Sequence, residues 1–111
     1  MIFRDDDGTY YMYYCSSKGT FEKMENAMGL ASSTDLIHWK DEGATTELYT
    51  QQASESPFVL KNNGKYYMFF TDCAHQGTGY ATSDHPLHGW KCKPNGEHMI
   101  IPDSVCASEV F

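Results

Sequence analysis

The chain has 111 residues, 41% of them hydrophobic and 14% aromatic, which is enough for one modest domain with a buried core and excludes a disordered chain. Its formal net charge of −7 comes from 15 acidic against 8 basic residues with no Lys/Arg cluster, so nucleic acid and anionic membrane surfaces are poor partners. No apolar run is long enough to span a bilayer as a helix, and the four cysteines (Cys15, Cys73, Cys92, Cys106) lack CxxC spacing, so they read as packed thiols ahead of a zinc site or a disulfide.

In chain order, Met1-Ile2-Phe3 reads as the tail of a strand, and Asp6-Asp7-Gly8 is a turn signal leading into an aromatic strand, Tyr10 to Cys15. Phe21 to Met28 is the best helical candidate; it is short and sits in a variable loop. Gly29 to Ser33 is a strand of small residues, and a Ser/Asp turn carries the chain to Trp39-Lys40. Ala53-Ser54-Glu55 opens the next strand, Pro57 to Leu60, and Lys61-Asn62-Asn63-Gly64 is an Asn-Gly turn before a second aromatic strand, Tyr66 to Phe70. A loop bearing His75 follows, then Gly79 to Asp84, a turn to Trp90-Lys91, and finally Ala107-Ser108-Glu109.

The second half repeats the first. "GTYYMYY" at residues 8–14 returns as "GKYYMFF" at 64–70, an offset of 56, and Ala53-Ser54-Glu55 returns as Ala107-Ser108-Glu109, an offset of 54. Such a period is tested before single elements are named, because it changes the fold. In Tyr10 to Cys15, one face presents Tyr10, Met12 and Tyr14 and the other Tyr11, Tyr13 and Cys15, so neither face is made for water. Sheets repeated around an axis cover both faces of such strands. The expected fold is therefore all-β: about two four-stranded antiparallel blades of a β-propeller, over residues 1–52 and 53–104, with 105–111 as the inner strand of a further blade. A two-sheet sandwich formed by duplication is the alternative.

The phrases "FRDDDGTYYMYYCSS", "GLASSTDLIHWKDEG", "SESPFVLKNNGKYYMFFTD" and "GYATSDHPLHGW" cover most of residues 3–90 and resemble the five-bladed propeller glycoside hydrolases, chiefly family 43 (arabinanases and β-xylosidases) and the related family 32. The resemblance implies a funnel on the propeller axis with carboxylates at the starts of inner strands. It also implies that Glu55 in "SESPF" is the general acid, and that Glu109 in "SEVF" is a further funnel carboxylate at the repeat-equivalent position. Glycoside cleavage needs one carboxylic acid to protonate the leaving oxygen and one carboxylate as base or nucleophile, roughly 5–5.5 Å apart for retention and roughly 6.5–9.5 Å for inversion. In the family an Arg-Asp-Pro or Asp-Pro phrase supplies the base or nucleophile. That phrase would end before Met1, so no residue of this chain receives the role.

Each sharper reading has a plainer rival. Glu55 competes with a solvated strand-entry residue, and His75 as a sugar contact competes with an exposed loop histidine. Asp5-Asp6-Asp7 lacks the alternating Asx pattern and closing Glu of a calcium loop and reads as a hairpin turn, so no metal or cofactor is expected. Trp39 and Trp90 read as packing residues ahead of sugar-stacking platforms. The function expected is part of a glycosidase acting on plant or fructan-type oligo- or polysaccharides, inactive alone for want of a base. The alternative is a non-catalytic carbohydrate-binding or self-assembling module. Two blades leave open edges, so a homo-oligomer formed by strand or blade completion is expected.

Overall fold

The computed structural model describes residues 1–20, 23–45, 54–72, 77–92 and 99–102. The elements are β1 (Ile2–Arg4), β2 (Tyr10–Thr20), β3 (Lys23–Ser33), β4 (Lys40–Thr45), β5 (Ser54–Asn62), β6 (Lys65–Asp72), β7 (Gly77–Ser83) and β8 (Met99–Pro102). They form two four-stranded antiparallel sheets, β1-β2-β3-β4 and β5-β6-β7-β8, in which each strand pairs with its neighbours in sequence. Among the described residues no Greek-key crossing joins the sheets. The chain is all-β, and the sheets are two blades of a β-propeller.

The β5–β6 hairpin is closed by Asn63 and Gly64, with φ of 50° and 76°, between the paired residues Asn62 and Lys65. Two consecutive positive φ angles suit the right-handed twist of the flanking strands, which is why Asn-Gly is so strong a hairpin signal. The corresponding turn in the first sheet is longer. There the Gly8 N–H donates to the Asp5 carbonyl at 3.0 Å, the Asp5 N–H donates to the Thr9 carbonyl at 2.9 Å, and Gly8 alone takes positive φ, at 88°. The helical candidate at Phe21 to Met28 is overturned: Lys23 to Met28 belong to β3 and pair in register with Cys15 to Thr20 of β2. A short segment of weak helical preference yields to the backbone hydrogen bonds an adjoining strand supplies.

Between the sheets lies one apolar cluster. The first sheet contributes Tyr11, Tyr13, Met28 and Leu30; the second contributes Val59, Tyr66, Met68, Phe70 and Ala81; and Trp90 completes it. By the 56-residue offset, Tyr66, Met68 and Phe70 correspond to Tyr10, Met12 and Tyr14, not to Tyr11 and Tyr13. Opposite faces of the repeat therefore meet. A sandwich made by a twofold duplication would bring like faces together, whereas unlike faces in contact is how successive blades stack.

Trp90 seals this interface. Its indole N–H donates to the Pro86 carbonyl at 3.2 Å, the Tyr13 hydroxyl donates to the same carbonyl at 3.0 Å, and the Tyr13 and Trp90 rings meet edge to face at 6.1 Å. Trp39 makes the same local bond, from its indole N–H to the Leu36 carbonyl at 3.0 Å, but remains half-buried.

A polar clamp closes one end of the sheets. The buried Asp5 carboxylate accepts from Lys61 Nζ at 2.8 Å and from the Tyr66 hydroxyl, joining the first turn to the second hairpin. Lys61 also reaches Asp6 at 2.9 Å. Burial opposes ionisation of Asp5, but the hydrogen bonds from Lys61 and Tyr66 outweigh it and hold the carboxyl below the usual carboxylate range. A carboxyl depressed in the folded state stabilises above its unfolded pKa of about 3.9 and loses that contribution as pH falls through its folded value. Asp5→Ala is expected to cost about 2 kcal/mol near neutral pH, the scale of hydrogen bonds to a charged group, and to flatten the acid limb of stability. Urea unfolding across the acid range reads both effects; an unchanged acid limb would show that Asp5 contributes nothing to it.

Candidate active site

Glu55 stands at the entry of β5, directly across from Thr71 of β6. Regular pairing resumes only at Phe58, opposite Phe69, so Ser56 and Pro57 form a bulge. Ser56 adopts φ of 50°, a left-handed conformation uncommon for a residue with a side chain, and Pro57 is buried. The sequence accounts for this locally: Pro57 has no N–H to give a ladder, and within sheets proline is confined to edges, strand starts and bulges. A bulge breaks the alternation of side chains and re-aims the residue beside it, and strained backbone of this kind concentrates at functional sites. The Glu55 carboxylate is exposed.

The residues across the sheet from Glu55 are buried: Thr71 and Asp72 on β6, and Thr78, which pairs with Thr71, on β7. Asp72 is a carboxylate that sequence reasoning missed. It stands one residue past the partner of Glu55, so pleating turns it toward the opposite side of the sheet. It acts there on Cys92, whose thiol is pushed up to about 11 by burial and then by the Asp72 charge. The one hint in the sequence was a charged residue closing an aromatic strand. His75 and Glu109 lie outside the described residues, so Glu55 is the single sequence-predicted site residue with a described position.

Strand pairing aligns the two sheets: Ile2 faces Met12 as Val59 faces Met68. The bulge at residues 55–57 accordingly has no counterpart among the described residues of β1. Asp5, Asp6 and Asp7 sit at the far end of the sheets from Glu55. The strand from Glu55 to Lys61 spans roughly 20 Å of extended chain. The triplet acts as a turn and a clamp, and among the described residues no group of three or more His, Cys, Asp or Glu could hold a metal ion.

A cavity of about 320 Å³ opens at that same far end, lined by Lys65, Asp84, His85, His88 and Lys91 among others. The His85 and His88 rings stack 3.8 Å apart, and burial together with the neighbouring His88 holds His85 below the ordinary histidine range. Glu55 takes no part in this cavity.

The model of glycosyl hydrolases family 43 matches residues 1–101. The chain is 31% identical to the probable arabinan endo-1,5-alpha-L-arabinosidase A of Aspergillus fumigatus, over 85% of this chain and 32% of that protein, so it spans about a third of that relative's length. Among solved structures it is similar to a thermostable family-43 glycoside hydrolase, with a TM-score of 0.73 and 27% identity over 92% of this chain and 38% of the other. It is also similar to an endo-1,4-beta-xylanase from Bacteroides thetaiotaomicron, with a TM-score of 0.64 and 31% identity over 86% and 35%.

Proposed function

The chain belongs to glycosyl hydrolases family 43, and on that basis we propose that it carries the acid-supplying part of a glycosidase site for arabinan- or xylan-type plant polysaccharides, with Glu55 as general acid. The observation that carries this reading is the bulge at Ser56-Pro57, which leaves an exposed carboxylate at the head of β5 in a strained, proline-fixed backbone. The names of the arabinan- and xylan-cleaving relatives favour those substrates over fructans.

In this reading, Glu55 gives its proton to the glycosidic oxygen as the bond to the anomeric carbon breaks. A carboxylate on the other side of the sugar acts as base or nucleophile. No residue of the 111 matches the Arg-Asp-Pro phrase, so the chain alone is expected to bind better than it turns over. Glu109, repeat-equivalent to Glu55, is proposed as a further funnel carboxylate, and His75 as a sugar contact.

Titration of arabino- and xylo-oligosaccharides into the isotopically labelled chain tests the site. The backbone amide signals of Glu55, Ser56 and Thr71 are expected to shift in a saturable way, while those of Asp5 and Lys61 stay in place. Saturating sugar that leaves the Glu55 region unmoved would sink the proposal.

A further inference from the structure

The Ser-led turns that follow β3 and β7 match at an offset of 50 residues, yet their charges differ. In the first, Ser33 Oγ accepts from the Leu36 N–H at 2.9 Å, and the Asp35 carboxylate holds the His38 ring at 2.7 Å. In the second, Ser83 Oγ accepts from the His85 N–H at 3.0 Å, but His85 stands in the place of Asp35 and its ring stacks on that of His88. The second turn is also one residue longer, with Gly89 at φ of 75° before Trp90. A carboxylate–imidazole pair in the first sheet is thus a pair of imidazoles in the second.

Those imidazoles line the cavity of about 320 Å³ together with Lys65 and Lys91, and Asp84 is the one acidic residue on its wall among the described residues. Two of the eight basic residues of a chain with net charge −7 therefore meet at one small opening. Among the described residues, Lys40 and Lys61 are paired with carboxylates, whereas Lys65 and Lys91 have no such partner. The Leu87 N–H donates to His85 Nδ1 at 3.1 Å, so the neutral ring keeps its proton on Nε2, where it is a donor. The lining comes from the first residue of β6, the end of β7 and the segment after it, not from the aromatic faces on which sheets pack.

We propose that this cavity is a second binding site, for a small oxyanion: the carboxylate of a uronic acid unit or a free phosphate. Lys65 and Lys91 supply the charge, and the His85 Nε2–H supplies a directional bond. Ligand pockets hold about 300–1,000 Å³, and this one lies at the lower end, so it admits a single sugar ring or less. Asp84 opposes the anion from the wall, and the lysines are open to water, so binding is weak and falls as salt rises. The site is independent of Glu55, which lies at the other end of the sheets.

Glucuronate, inorganic phosphate and xylose, each titrated at fixed ionic strength into the isotopically labelled full chain, test this through the ring signals of His85 and His88 and the amide of Lys91. Glucuronate or phosphate is expected to shift them in a saturable way and xylose to leave them in place; the tighter of the two anions identifies the source. Lys65→Gln and Lys91→Gln, at exposed positions, are each expected to weaken binding about two- to fivefold, the scale of one exposed ion pair. His85→Asp, which copies the first turn, is expected to abolish it with an unchanged circular dichroism spectrum, and the two lysine variants carry the test where that substitution disturbs the turn. Signals that neither anion moves overturn the proposal. So do shifts that xylose reproduces, or anion binding that all three variants retain at full strength.

Discussion

Trp90→Ala is expected to remove a large share of the stability of the chain. The indole is 1% exposed and lies at the seam of both sheets against Tyr13, so its loss removes a large apolar transfer term and leaves a cavity between two sheets that cannot collapse separately. Phe or Trp to Ala substitutions in cores cost about 3–5 kcal/mol, against a total of roughly 5–15 kcal/mol for a domain of ordinary stability. The Pro86 carbonyl keeps its bond from the Tyr13 hydroxyl, so the cost comes from packing rather than from a stranded acceptor. Trp39→Ala is the internal control, because it deletes the same side chain from the same kind of turn at a half-buried site. Urea unfolding of both variants at one fixed protein concentration should show the larger loss at Trp90. Equal losses would mean that the indole serves its own turn and not the seam.

Glu55→Gln is expected to act on chemistry and leave folding alone, since Glu55 is exposed beside a bulge that Pro57 fixes. A general acid contributes about 10²- to 10⁴-fold, most with a basic leaving group and least with an activated one that departs without a proton. Because no residue here matches the base phrase, azide added as an external nucleophile should support turnover, ending as the glycosyl azide. With azide present, the Gln variant should lose activity on alkyl arabinofuranosides and keep it on 2,4-dinitrophenyl arabinofuranoside. Equal loss on both substrates would assign Glu55 to binding. No loss on either would remove it from the site.

The aromatic strands, the Asn63-Gly64 turn and the blade order were legible because each rests on a short-range rule: alternation, positive φ, or a repeated phrase. Burial of individual faces was not. "YYMYY" and "YYMFF" have the same local chemistry, and only the adjoining sheet decides that Met68 is sealed while Met12 is not. Asp5 illustrates the same limit: its turn could be read from Asp-Asp-Gly, but Lys61 and Tyr66, which turn it into a clamp, lie 56 and 61 residues away. Lys23 to Met28 were misread in the other direction, since a short helical preference carries no information about the neighbouring strand that captures it. The Ser-Pro context of Glu55 could be read from the sequence, while the bulge beside it needed the register of β5 against β6; its role as general acid is the proposal that the azide assay tests.

The strictly sequential order of strands also bears on how the chain reaches this state. Every ladder between the described strands joins segments adjacent in sequence, so each sheet can grow hairpin by hairpin, with little chain entropy spent before contacts are made. The long separations belong almost wholly to the seam, where Tyr13 meets Pro86 and Asp5 meets Lys61 across 73 and 56 residues. Local hairpins of this kind are expected to form before the two meanders dock, and an undocked meander exposes the row of tyrosine, methionine and phenylalanine that the seam covers.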